Sequence, residues 1–162
     1  MMRRSQWMIG LSGVVVLVVA LGAWAALGHL SLSALNEPSR AEFQVVTMVK
    51  HYLVRRSSHG SLSRPTPDDA TSVANGRMQF GAHCSICHGR DGRTPTDVGR
   101  WMYPRAPDLG SATVQRWTDA ELFWIIKNGL RPTGMPGFAH LHTDEEIWNF
   151  AHYVRSLGRP PQ

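Results

Sequence analysis

The sequence predicts an all-α chain, and three observations carry the prediction. Apolar residues recur at helical spacing, two Thr-x-x-Glu boxes stand where helices would open, and an uncharged, mostly apolar run covers residues 5–28. Taken in order, the elements divide the 162 residues into an N-terminal segment 1–30, a connector 31–72 and a helical domain 73–162. No internal repeat or low-complexity tract interrupts them.

Residues 1–30 carry Arg3 and Arg4 and no acid. Within the uncharged run, Trp7 to Leu27 gives 21 mostly apolar residues. As a helix that length spans roughly 30 Å, the hydrocarbon thickness of a bilayer. Read as a transmembrane anchor over 7–27, it leaves the two arginines on the cytoplasmic side and sends everything after Leu30 across the membrane. The competing reading is a cleaved signal peptide, with Ile9–Ala20 as its apolar core and Ala23-Trp24-Ala25 as a small-x-small cleavage site. Both readings export the rest of the chain across the membrane.

The connector contains an amphipathic helix over 41–56. Val45, Val46, Met48, Val49, Tyr52 and Leu53 give it a broad apolar face, with Gln44, Thr47, Lys50, His51 and Arg55 between them. The helix either packs against the main domain, or lies at a membrane surface or docks onto a partner, with Arg55 and Arg56 reaching lipid phosphates. Residues 57–71 read as loop, from Gly60, Pro65, Pro67 and a run of Ser and Thr.

In the last 90 residues a helix is expected over Val73–His83. Thr118-Asp119-Ala120-Glu121 opens a second, running to Asn128 with Gly129 as its stop. Thr143-Asp144-Glu145-Glu146 opens a third, running to Leu157, with Ile147, Phe150, Ala151 and Val154 as its apolar stripe. Three short helices make a thin core, and a domain of that size usually needs a staple.

The staple is written at Cys84-Ser85-Ile86-Cys87-His88. Cys-x-x-Cys-His is the attachment spacing of c-type haem. Two thiols one helical turn apart can each add to a vinyl group of one porphyrin, and the next residue, His88, is then held over the iron as an axial ligand. A redox dithiol is the alternative for a Cys-x-x-Cys pair. Such pairs follow a strand and open a helix, whereas this one closes a helix and is followed by Gly89, Gly92 and Pro95. Met135, in Thr133-Gly134-Met135-Pro136-Gly137, is the expected second ligand, because methionine between turn formers is not core filler. His140, His142 and His152 are its rivals.

With these residues in place, the chain from Val73 to Leu157 resembles the class I, single-haem cytochromes c of the membrane-anchored bacterial type. Gly76 and Phe80 stand where that family's first helix has them, and Phe150 and Tyr153 resemble the pair on its last helix that crosses the first. The resemblance implies a class I cytochrome c helical fold wrapped round one covalent haem c, preceded by an N-terminal transmembrane helix and a helical connector. It further implies that Pro107 accepts a hydrogen bond from the proximal imidazole. Tyr103 and Arg105, beside Pro107, are expected near the haem edge or its propionates, as are Trp101, Trp117 and Trp124. One departure concerns docking: Lys127 is the only lysine among residues 73–162, which hold nine arginines and eight acids, so the lysine ring of the soluble members has no counterpart.

His–Met ligation fills both axial positions and describes a one-electron carrier rather than an enzyme. The expected role is to carry electrons between redox protein partners at the outer face of the membrane. The chain would act as a shuttle or as the haem subunit of a respiratory or photosynthetic complex, with no small-molecule substrate. A haem enzyme or gas sensor would need a labile sixth position and a polar distal group such as His140 or His142. Nucleic acid is not an expected partner. The net charge of +5 is spread as two bases in 1–30, five against four acids in 31–72, and ten against eight beyond, with no concentrated patch.

Overall fold

The computed structural model describes residues 2–28, 33, 35–59, 67–131 and 133–159; in the first helix the described side chains are 7, 10–25, 27 and 28. Among the described residues the regular structure is entirely helical. The chain divides into two compact units, 1–36 and 37–162.

The first unit is the helix α1 (Met2–Gly28), whose described side chains are all exposed. The helix expected over 7–27 is therefore present. However, among the described residues no helix is long and apolar enough to cross a membrane. A transmembrane anchor is thus not carried by the structure.

The second unit begins ahead of the connector helix rather than after it. Helix α2 (Arg40–Ser58) starts at a Ser39/Glu42 capping box that extends the expected 41–56 at both ends. Residues 60–66 of the expected loop 57–71 lie outside the described residues, and Ser57 and Ser58 are still helical. Helix α3 (Ala70–His83) starts earlier than Val73, because the Asp69 carboxylate accepts from the backbone N–H of Ser72 at 2.8 Å.

Three short helices not foreseen from periodicity follow: α4 (Ser85–His88), α5 (Asp97–Trp101) and α6 (Ala112–Gln115). One to one-and-a-half turns are too short to show a period. Helices α7 (Asp119–Asn128) and α8 (Asp144–Leu157) begin at the two predicted boxes, capped by Thr118 and Thr143.

The core is built where α8 crosses α3 and packs on α7. A Cβ on Gly76 would stand 2.0 Å from the carbonyl oxygen of Asn149, so only glycine lets the two backbones approach. Phe80 meets Tyr153 edge-on at 5.0 Å on the same crossing. One turn away, the buried Ser72 hydroxyl donates to Asn149 Oδ1 at 2.7 Å and lies 2.7 Å from His152 Nδ1, tying the helices by polar contacts as well. Phe123 packs on Trp148 at 4.6 Å between α7 and α8. Each such large apolar side chain contributes roughly 1.5–3 kcal/mol on burial.

Candidate haem site

The Cys84–His88 segment sits on the single turn α4, directly continuing α3. The carbonyl of Cys84 accepts the N–H of Cys87 at 3.2 Å and of His88 at 3.0 Å, so the motif is a closed helical turn. Gly89, at φ +76°, reverses the chain just after it, where a Cβ would meet the Thr94 carbonyl at 2.1 Å. The returning loop is pinned by the N–H of Thr96 on the Cys87 carbonyl at 3.1 Å, with Gly99 of α5 pressed against that same carbonyl.

Neither cysteine is in a disulfide. Burial, and secondarily Cys87, pushes the Cys84 thiol up to about 12. A redox-active dithiol needs a thiolate stabilised near neutral pH. The environment of Cys84 does the opposite, which disfavours the redox-dithiol alternative.

The expected bond to Pro107 is present. The Nδ1–H of His88 donates to the Pro107 carbonyl at 3.1 Å, which fixes the tautomer and leaves the Nε2 lone pair for a metal. Burial lowers the His88 pKa, with the Pro107 bond opposing, so the ring is favoured in the neutral form that ligation requires.

Met135 is presented by a loop folded back on the end of α7. The Leu130 N–H donates to the Met135 carbonyl at 3.2 Å, and the Met135 N–H to Thr133 Oγ1 at 3.1 Å. Thr133 Oγ1 donates in turn to the Leu130 carbonyl at 2.8 Å. Gly129, at φ +70°, and Gly137 let the two arms of this loop touch: a Cβ on Gly129 would lie 2.6 Å from the Gly137 nitrogen, and one on Gly137 2.7 Å from the Asn128 carbonyl. These backbone bonds set the position of the Met135 main chain, and its half-buried side chain packs against the core.

Cys84, His88, Pro107 and Met135 all line one cavity. Its walls are mostly apolar side chains, among them Phe80, Leu109, Ile126, Phe138 and Phe150. A thiol, an imidazole with one nitrogen committed elsewhere, and a thioether inside an apolar cleft form the donor set that haem c requires, so the residues fit the group. Cys87 is half-buried and is not among the lining residues.

The other expected site residues divide. Arg105 lines the cavity, but its guanidinium is paired with Glu37 at 2.7 Å and is largely exposed. Tyr103 does not line it, and its hydroxyl donates to Glu42 of α2. Trp117 is buried in the wall, Trp124 is half-buried against the core, and Trp101 is exposed. None of the rival histidines lines the cavity. His140 is exposed, His152 belongs to the α3–α8 contact, and the His142 ring lies 4.9 Å from Phe150, whose side chain is part of the wall.

Among the lining residues not foreseen are Phe43, Lys50 and His51 of α2. The His51 ring stacks on Trp117 at 3.8 Å and 9°. Their spacing of seven and eight residues, continued by Val54 and Ser58, places them on one face of the helix, a face that mixes polar and apolar residues and so gave no amphipathic signal.

The cytochrome c family described as "Cytochrome C oxidase, cbb3-type, subunit III" matches residues 71–154, more than half of the 162. The chain belongs to this family. It is a c-type cytochrome, and its cofactor is covalently bound haem c. It is 29% identical over 100 residues to the thiosulfate dehydrogenase of Stutzerimonas stutzeri (strain A1501). That match covers 59% of this chain, which spans about a third (31%) of the relative. Among solved structures it is similar to a chain of the reducing HAO-like protein complex of Kuenenia stuttgartiensis. The TM-score is 0.54 at 23% identity, over 61% of this cytochrome and 50% of that chain, a likeness of fold.

Proposed function

We propose that this cytochrome carries single electrons between redox protein partners, with one haem c attached through Cys84 and Cys87 and held axially by His88 and Met135. The observation that supports this reading is the convergence of His88 and Met135 on one apolar cavity, with His88 already oriented by Pro107. The cofactor supplies a one-electron couple when bound. The residues of the chain do the rest: the wall excludes water, the Pro107 carbonyl holds the imidazole, and the Gly129–Gly137 clamp holds the thioether. With His88 and Met135 as the two iron ligands, no ligand position would be left for a substrate, which favours a carrier over an enzyme.

A tether to the outer face of the cytoplasmic membrane is part of the proposal, whether the cytochrome moves as a shuttle or serves as the haem subunit of a respiratory or photosynthetic complex. Its support is the sequence: Arg3 and Arg4 followed by no charged residue from Ser5 to Gly28.

Optical spectra of the purified protein, oxidised and reduced, with a carbon monoxide challenge, test the ligation. The expected result is a low-spin spectrum with a sulfur-to-iron band at the red end, unmoved by the gas. Met135→Ala should turn high-spin and bind it. A wild-type protein that is high-spin, or that takes up carbon monoxide, would overturn the carrier reading in favour of a haem enzyme or gas sensor.

A further inference from the structure

We propose that α2, which lies ahead of the family-matched residues, is part of the haem site, and that its Lys50 ammonium is the counter-charge of a carboxylate on the bound cofactor. This rests on the placement of haem c in the cavity described above. Two cationic side chains line that cavity, Lys50 and Arg105. Arg105 is already neutralised by Glu37 at 2.7 Å. Lys50 is half-buried against the cavity and has no carboxylate partner among the described residues.

A cation withdrawn from water beside an apolar wall is costly unless an anion meets it. Burial lowers the Lys50 pKa, with no acid acting in the other direction. Haem c carries two propionate carboxylates, and a group filling this cavity would bring an anion to the one unpaired cation among the described residues of its wall. The turn bearing Lys50 is held in register from three sides. His51 stacks on Trp117, Val54 is buried, and Arg55 Nε stands 3.6 Å from the buried carboxylate of Glu121 on α7.

Pairing has two consequences. A fixed positive charge at the haem edge favours the reduced state, which carries one positive charge fewer. It also keeps the carboxylate ionised, because removing the ammonium leaves a desolvated acid whose pKa rises toward neutrality. The other charged groups around this turn are Arg55, Arg116 and Glu121 with His51 beside them, and Arg105 with Glu37 across the cavity mouth.

Potentiometric titration of the haem-loaded full chain across the neutral pH range tests the proposal. Lys50→Gln and Lys50→Met should lower the potential and introduce a fall in potential with rising pH that the wild type lacks. Lys50→Glu should lower it further, Lys50→Arg should keep the wild-type value, and Arg56→Gln, an exposed cation of the same helix, should leave it unchanged. Wild-type potentials at every pH in whichever of the Gln, Met and Glu variants load haem would overturn the assignment, as would an equal shift in Arg56→Gln. If none of the three loads while Lys50→Arg does, the ammonium is required for cofactor retention and the assignment stands. If Lys50→Arg fails with them, it falls. A wild-type spectrum that is high-spin refutes the Met135 ligation instead and leaves the Lys50 comparison intact, since the edge charge acts whatever the sixth ligand.

Discussion

Helices α8 and α2 have similar amphipathic patterns and opposite fates. In α8 the stripe Ile147, Phe150, Ala151 and Val154 is the buried face, from 0% to 6% exposed. In α2 the apolar face points away from the domain: Val45, Met48, Tyr52 and Leu53 are each more than half exposed, while Lys50, His51, Val54 and Ser58 face inward. Of the two fates expected for this helix, packing against the main domain is the one observed, made through its polar side and Val54 rather than through the apolar face. On this side Arg55 stands 3.6 Å from the buried Glu121 carboxylate, with most of its side chain exposed. The period of apolar residues orients a helix when the opposing surface is itself apolar. Opposite α8 lie Phe80 and Phe123, whereas opposite α2 lie a buried acid, an indole face and a cavity mouth, and these select its polar side.

Four measurements break or sharpen this contrast, and denaturant unfolding of the haem-loaded protein reads the first three. Phe150→Ala removes a side chain that is both on the α8 stripe and in the cavity wall, and should cost about 4 kcal/mol. Gly76→Ala should cost roughly 3 kcal/mol, because its Cβ meets the Asn149 carbonyl at 2.0 Å and backbone cannot give way as a side chain can. On α2, Met48→Ser with Tyr52→Ser should change stability by less than about 0.5 kcal/mol, as for exposed sites generally. A cost of 2 kcal/mol or more there would show that the face is covered within the folded chain.

The smallest effect concerns pH and the start of α8. The Thr143 backbone N–H holds the Glu146 carboxyl below its usual range. A carboxyl depressed in the folded state adds stability that is fully present above its unfolded value and is lost as pH falls through the folded one. Unfolding midpoints of the wild type should therefore fall through the acid range, and those of Glu146→Gln should fall less steeply.

Much of the fold was legible because its signals are local. The Thr118 and Thr143 boxes each set a helix start through hydrogen bonds within four residues, and both helices begin where the boxes predict. The close crossing at Gly76 and the Pro107 bond to His88 were expected from family resemblance, and both are present. The short turns α4 to α6 were not legible, since one turn carries no period. The true start of α3 was missed although Asp69 is an ordinary cap. Tyr103 was placed by sequence proximity to Pro107, but its hydroxyl answers to Glu42, 61 residues earlier in the chain.

By itself the sequence determined the chemistry: a thiol pair at helical spacing, a histidine held next to it, and a methionine in a loop that can be neither helix nor strand. These depend on neighbours along the chain, and covalent spacing transmits them directly. Only the tertiary structure decided which side of α2 faces the cavity and which cation there lacks an acid. Those outcomes depend on surfaces contributed by α7, the 103–107 loop and Glu37, whose meeting with α2 no local pattern encodes.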